Sequence, residues 1–347
     1  MTKRGTVDMP GIARIWKWAS PWVRVAACIG LLALLLRRID TRALFDASLH
    51  AAAHWPWIVA GVVMTFFGLA TGAVRWGAIL AAQGLRFAPL KVLHIVMVGQ
   101  FFNAFMLGAC GGDVARAYYA ARGQEGKRVE VVTSILLDRG IGLFSMIVFC
   151  CCMIPFRLHI FLDNKGPRDT GFIMLCFLLG TLVGILVLFE KNVFEHFRFF
   201  QRLENNTRLG PLIREAYDAL FFFKKSHRLL VIASVLSVMN TVFLTLACWS
   251  FGHALEIPVP VVDYLALFPI ISVLMAVPIT PGSLGVREGL FVSLFRSVMV
   301  DRHHAILLSL MVYAGGMLWS LVGGLVYLCF TPKALRIGRI NNQTQKP

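Results

Sequence analysis

The chain has 347 residues, 58% of them hydrophobic and 15% charged, with a mean hydropathy of +0.72 and a net charge of +16. A soluble domain of this length would be about half apolar and about a quarter charged, so a water-soluble enzyme or binding module is excluded. The 34 Lys and Arg gather between apolar runs rather than on a soluble stretch, which excludes nucleic acid as a partner and points to an anionic leaflet.

The apolar runs are continuous, not alternating, and about 20 residues are needed to cross a ~30 Å hydrocarbon core as a helix. Backbone groups in lipid must pair internally, so continuous runs predict helices and exclude a β-barrel. Residues 1–21 carry Lys3, Arg4, Arg14 and Lys17 interleaved with Trp16 and Trp18, and read as an interfacial N-terminus without a cleavable signal. A first span covers Trp22 to Leu36, and an amphipathic stretch from Thr41 to His54 follows at the interface. The second span, Trp55 to Leu80, has Trp55, Trp57 and Trp76 at belt positions, with Arg75-Trp76 reading as an interfacial anchor. Leu90 to Ala109 is apolar but interrupted by Gly99, Gln100, Asn103 and Gly108, and leads into Gly111-Gly112-Asp113.

A third span is predicted over Val131 to Phe156 and a fourth over Gly171 to Phe189. The basic stretch 190–228 holds one amphipathic surface helix, Leu212 to Phe223. The fifth span is Leu229 to Gly252. Tyr264 to Ile279 runs into Thr280-Pro281-Gly282-Ser283, and Gly285 to Val300 resumes a helical pattern. The sixth span, Ala305 to Phe330, precedes a basic tail, 331–347. His253 to Asp263 has no Lys or Arg, so the positive-inside rule puts both termini and 190–228 in the cytoplasm. The expectation is one all-α transmembrane domain, 1–347, with about six full spans and two re-entrant broken helices in an inverted arrangement.

The breaks carry the chemistry. Gly111 and Gly112 leave backbone N–H groups free at a helix start, which attracts anions; Asp113 can cap it, and Arg116 lies one turn on. The second break reads Pro281-Gly282-Ser283-Leu284-Gly285-Val286-Arg287-Glu288. A charge inside a bilayer costs ~3 kcal/mol or more and is kept where it is paired or lines a cavity. Arg287 and Glu288 therefore either neutralise each other or belong to a lipid-headgroup or ion pathway. Asp138 and Arg139 are adjacent and do not share a helix face, so each is expected to reach toward other helices. Asn103 reads as the cap of a kink. The histidines show no paired i,i+4 spacing, so no metal is expected, and no nucleotide-binding motif or cofactor fingerprint is present.

Arg75-Trp76, Phe101-Phe102-Asn103, Gly111 to Tyr118, Asp138-Arg139-Gly140-Ile141-Gly142-Leu143 and Ile279 to Gly289 together resemble the lysylphosphatidylglycerol synthetase transmembrane, or flippase-like, family. The resemblance covers roughly Trp55 to Phe330. It implies a lipid translocase of the inner (plasma) membrane, moving an amphiphilic, anionic or lipid-linked substrate between leaflets. The founding two-part members add a soluble aminoacyl-transferase domain; this sequence ends at Pro347, so a transporter rather than an enzyme is expected. The alternatives are a non-transporting subunit that binds a lipid for a partner enzyme, and a small-solute or ion transporter. The candidate substrate-binding residues are Asn103, Gly111, Gly112, Asp113, Arg116, Tyr118, Asp138, Arg139, Pro281, Gly282, Gly285, Arg287 and Glu288. The expected partners are a membrane lipid substrate, anionic lipids at the cytoplasmic face and a lipid-modifying enzyme.

Overall fold

The computed structural model describes residues 53–105, 111–122, 127–189, 227–276 and 285–343. In chain order the helices are α1 (Trp55–Ala82), α2 (Pro89–Phe105), α3 (Gly111–Ala121), α4 (Arg128–Met153), α5 (Leu158–Asp163), α6 (Lys165–Phe189), α7 (His227–Ala254), α8 (Val261–Met275), α9 (Val286–Phe295) and α10 (Arg302–Gln343). A 3-10 turn, Ile154–Arg157, joins α4 to α5.

Among these residues five helical stretches are long and apolar enough to cross a membrane: Trp55–Ala82, Arg128–Asp163, Lys165–Val183, His227–Ala254 and Arg302–Leu328. They correspond to the second to sixth predicted spans. The first span, the loop 190–226, Pro281 and Gly282 lie outside the described residues. At 28 residues α1 is about 42 Å long, enough to cross. By contrast α8, at 15 residues, stops short, and the described part of α2 covers 17 residues. The chain is an all-α multi-pass membrane protein.

Its outer surface is apolar. Val59, Val63 and Phe67 on α1, Leu175 and Leu179 on α6, and Leu321, Leu325 and Leu328 on α10 are all exposed. Patches of this kind aggregate in water and are stable against hydrocarbon. Helix association in lipid then rests on close packing and interhelical hydrogen bonds rather than on the hydrophobic effect. The α1–α7 contact, the most extensive among the described residues, uses both: Gly68 faces Leu244, and Asn240 Nδ2 donates to the Gly68 carbonyl at 2.5 Å.

Two halves share one plan. The helices of the first, α1 to α4, match α7 to α10 in order, and α2 and α8 start 172 positions apart (89 and 261). The packing is exchanged in the same way: α2 lies on α10, and α8 lies on α4. Along α1 and α7 the partners run in opposite directions, Gly61 with Phe251, Gly68 with Leu244, Arg75 with Ser237. The halves are therefore inverted. Their interiors differ, however. A large apolar core built around Phe251, Tyr264, Leu267, Phe291 and Phe295 fills the second half. The first has a smaller one around Trp76, Leu80, Val92 and Val131, and beside it lies the polar site.

Candidate functional site

Helices α2 and α3 pack closely side by side. Asn103 Oδ1, on the last turn of α2, accepts the Gly112 N–H at 3.0 Å. Asn103 thus caps the start of α3 from across the break, the task the sequence assigned to Asp113. A Cβ on Gly112 would run into the Gly99 carbonyl and sit 2.6 Å from Asn103 Oδ1, so only glycine lets the two helices meet this closely. Gly112→Ala is expected to cost about 1–3 kcal/mol, the range for overpacking, seen as a lower melting temperature in detergent. An unchanged midpoint would show that the packing yields.

Freed from capping, Asp113 turns to arginines. Arg139 holds it with two bonds, Nε to Oδ2 at 3.2 Å and Nη2 to Oδ1 at 2.9 Å, and Arg116 Nη1 stands 3.7 Å from Oδ1. Arg116 also donates Nη2 to Asp138 Oδ2 at 3.1 Å, while Arg75 donates Nε to Asp138 Oδ1 at 2.8 Å and Nη1 to Ser237 Oγ at 2.8 Å. The result is one chain of alternating charge, Arg75, Asp138, Arg116, Asp113, Arg139, contributed by α1, α3 and α4 and braced by α7. Its inner members are desolvated: the Arg75, Asp138 and Arg116 side chains are 12%, 4% and 10% exposed, against 54% for Arg139. Three guanidiniums face two carboxylates, so the cluster has one positive charge in excess.

Arg116 is the centre of this arrangement. Its guanidinium carbon lies 4.3 Å from the Trp76 ring centroid, a cation–π contact strengthened by desolvation. Trp76 is fully buried and donates Nε1 to Ser134 Oγ at 3.1 Å. Arg116 Nε is buried without a hydrogen-bond partner, which is costly for a charged donor. Arg75-Trp76 is therefore no interfacial anchor. Helix α1 continues to Ala82, so both residues lie about two turns inside it and face the bundle. Helix α4 begins at Arg128, which places Asp138 and Arg139 well inside it. As expected from their adjacency, the two reach different partners.

The cluster opens onto a cavity of about 300 Å³. Arg75, Asn103, Arg116, Asp138 and Arg139 line it together with Gln100 and Asn240, and Leu69, Val96, Leu244 and Trp319 form its apolar wall. Tyr118 is not part of it: the side chain is exposed and meets Tyr119 edge-on. Ser237 and Asn240 were missed by the sequence reading, because single polar residues in an apolar span carry no spacing signal; Gln100 was noted there only as an interruption of its apolar run.

Arg287 and Glu288 are not among the lining residues. They form a second, sealed cluster in which Arg287 Nη2 bonds the adjacent Glu288 Oε1. Arg287 Nε donates to Ser309 Oγ on α10 at 2.8 Å, and its guanidinium lies 4.4 Å from the Tyr313 centroid. Gly285, with φ of 86°, takes the left-handed turn that starts α9, and its N–H is accepted by Glu288 Oε2 at 2.5 Å. Glu288 is thus both counter-ion and helix cap.

The family described as "Lysylphosphatidylglycerol synthase TM region" matches residues 21–323. A UPF0104 membrane protein of Methanocaldococcus jannaschii is 23% identical over 234 residues, which is 64% of this chain and 69% of that protein. No solved structure matches.

Proposed function

The chain belongs to the lysylphosphatidylglycerol synthase transmembrane-region family, and from that premise we propose that it moves an amphiphilic lipid with an anionic headgroup between bilayer leaflets. One observation carries this reading: a single cavity joins an arginine-rich wall with one surplus positive charge to an apolar wall of Leu69, Val96, Leu244 and Trp319. A free anion has no use for the apolar wall, and an uncharged lipid has none for the arginines. The unpartnered Arg116 Nε supports a ligand oxygen at the centre of the site, since planar guanidinium donors suit phosphate. In this reading the chain does no covalent chemistry, and the lipid's own gradient, the membrane potential or a partner supplies the driving force. It resides in the inner (plasma) membrane with both termini cytoplasmic.

The test is leaflet-resolved scrambling in liposomes. Purified protein should move fluorescent phosphatidylglycerol or a polyprenyl phosphate well above the protein-free rate, and an uncharged hopanoid more slowly. If no anionic lipid moves while one co-purifies at stoichiometric level, a lipid-holding subunit for a partner enzyme is the better reading. Orientation has its own check. A cysteine replacing Arg208 on a cysteine-free background should resist a membrane-impermeant thiol reagent in intact cells and react after lysis. Strong labelling from outside would reverse the topology.

A further inference from the structure

We propose that Asp113 is a built-in competitor for the lipid headgroup: its carboxylate fills the Arg139 fork while the site is empty, and the headgroup phosphate displaces it. The proposal deepens the translocase reading and rests on it for placing an anionic headgroup in this cavity. Asp113 has no task at the helix start. Asn103 does that work, its Oδ1 accepting the Gly112 N–H, so the Asp113 carboxylate is spared for Arg139 and Arg116. Both of these arginines line the cavity, and Asp113 is not among the lining residues.

Stability is a poor reason for the Asp113–Arg139 pair. The Arg139 side chain is 54% exposed and that of Asp113 23%. Water competes for both groups, and an ion pair of this kind contributes little. Asp138 differs: at 4% exposed it is the carboxylate that the desolvated Arg75 and Arg116 require. The charge chain therefore has a fixed inner part and an exchangeable outer end. What Asp113 offers at that end is shape. It accepts Arg139 Nε on Oδ2 and Nη2 on Oδ1, the two-pronged arrangement in which a guanidinium also holds phosphate. Two non-bridging phosphate oxygens can take the same two donors, leaving Asp113 to water. The exchange keeps binding reversible. A headgroup held by Arg116 and Arg139 with nothing to replace it would leave slowly. A tethered carboxylate stands beside the fork at high effective concentration, retakes Arg139 and returns the headgroup to the membrane.

The experiment measures binding of dihexanoyl phosphatidylglycerol to the full chain in detergent by isothermal titration calorimetry. Scrambling of fluorescent phosphatidylglycerol is followed in liposomes with the same variants. Asp113→Asn and Asp113→Ser remove the competing charge, while Asp113→Glu keeps it. Glu130→Gln, in the first turn of α4 and outside the charge chain, changes the net charge equally without freeing a fork. Asp113→Asn and Asp113→Ser should bind roughly 3- to 10-fold tighter than wild type, whereas Asp113→Glu and Glu130→Gln should stay close to it. Lipid movement by Asp113→Asn should fall, because release becomes slow. Wild-type or weaker affinity in both Asp113→Asn and Asp113→Ser, or an equal gain in Glu130→Gln, overturns the competitor; with lipid movement by the wild type intact, that result leaves the translocase reading standing. Tighter binding in the two variants while the wild type moves no lipid upholds the competitor and removes the translocase reading.

Discussion

Asp138→Leu is expected to remove most of the folded protein from the membrane. Asp138 is 3% exposed and accepts from two guanidiniums, Arg75 Nε and Arg116 Nη2. Leucine fills the volume but leaves both arginines desolvated, one still holding Ser237 and the other with Asp113 at 3.7 Å. Removing one partner of a buried ion pair costs about 3–5 kcal/mol, a large share of the roughly 5–15 kcal/mol that holds a domain folded. Fluorescence-detected gel filtration of membrane extracts should show loss of the monodisperse peak. Asp138→Asn should lie in between, since an amide oxygen still accepts one bond but carries no charge. A wild-type peak for Asp138→Leu would mean the cluster is wetter than its burial indicates.

Arg116→Ala should behave in the opposite way, folding normally and failing in function. Asp138 keeps Arg75, and Asp113 keeps the two bonds from Arg139, so no carboxylate is abandoned. What disappears is the surplus positive charge and a guanidinium in the cavity wall. Hydrogen bonds to charged groups contribute about 1.5–3 kcal/mol, so movement of an anionic lipid should fall by roughly 10- to 100-fold, with each ~1.4 kcal/mol counting tenfold. An uncharged lipid should be little affected. Arg116→Lys restores the charge but not the fork of donors or the guanidinium contact with Trp76, and only partial recovery is expected. Unchanged transport of the anionic lipid at normal protein level would place the headgroup elsewhere.

The two variants separate structure from function at neighbouring atoms. Asp138 is the member of the charge chain held on both sides by deeply buried groups. Arg116 is the member whose partners each have another arginine. That distinction follows from counting bonds in the cluster, and no feature of Asp138 or Arg116 in isolation would reveal it.

Much of the architecture was legible from the residues alone, because span formation is a local property. A run of apolar side chains long enough for the hydrocarbon must become a helix, whatever its neighbours. The predicted spans from Trp55 onward accordingly match α1, α4 and α7 within a few residues, whereas α6 starts earlier, at Lys165, and α10 runs on to Gln343 through most of the predicted basic tail. The start of α9 behind Gly285 was legible for a related reason: glycine beside short polar residues cannot continue an apolar helix at low cost. Adjacency also ruled that Asp138 and Arg139 serve different partners, and they do.

Who those partners are was decided by tertiary structure. Arg75 meets Asp138 across 63 positions and Ser237 across 162, distances at which the helix periodicity carries no information. The meeting depends on where along its length α1 crosses α4 and α7, and on how each helix is rotated about its axis. The same holds for Trp76, whose ring at a span's end looks like a membrane anchor until the rotation of α1 turns it under Arg116. It holds for Arg287 as well. Its sequence motif is as charged as that of Arg116, but Ser309 and Tyr313 of α10 cover Arg287, while Arg116 lines the cavity. Apolar length set the number and order of helices; helix rotation and crossing, which only long-range packing determines, set which charges face one another.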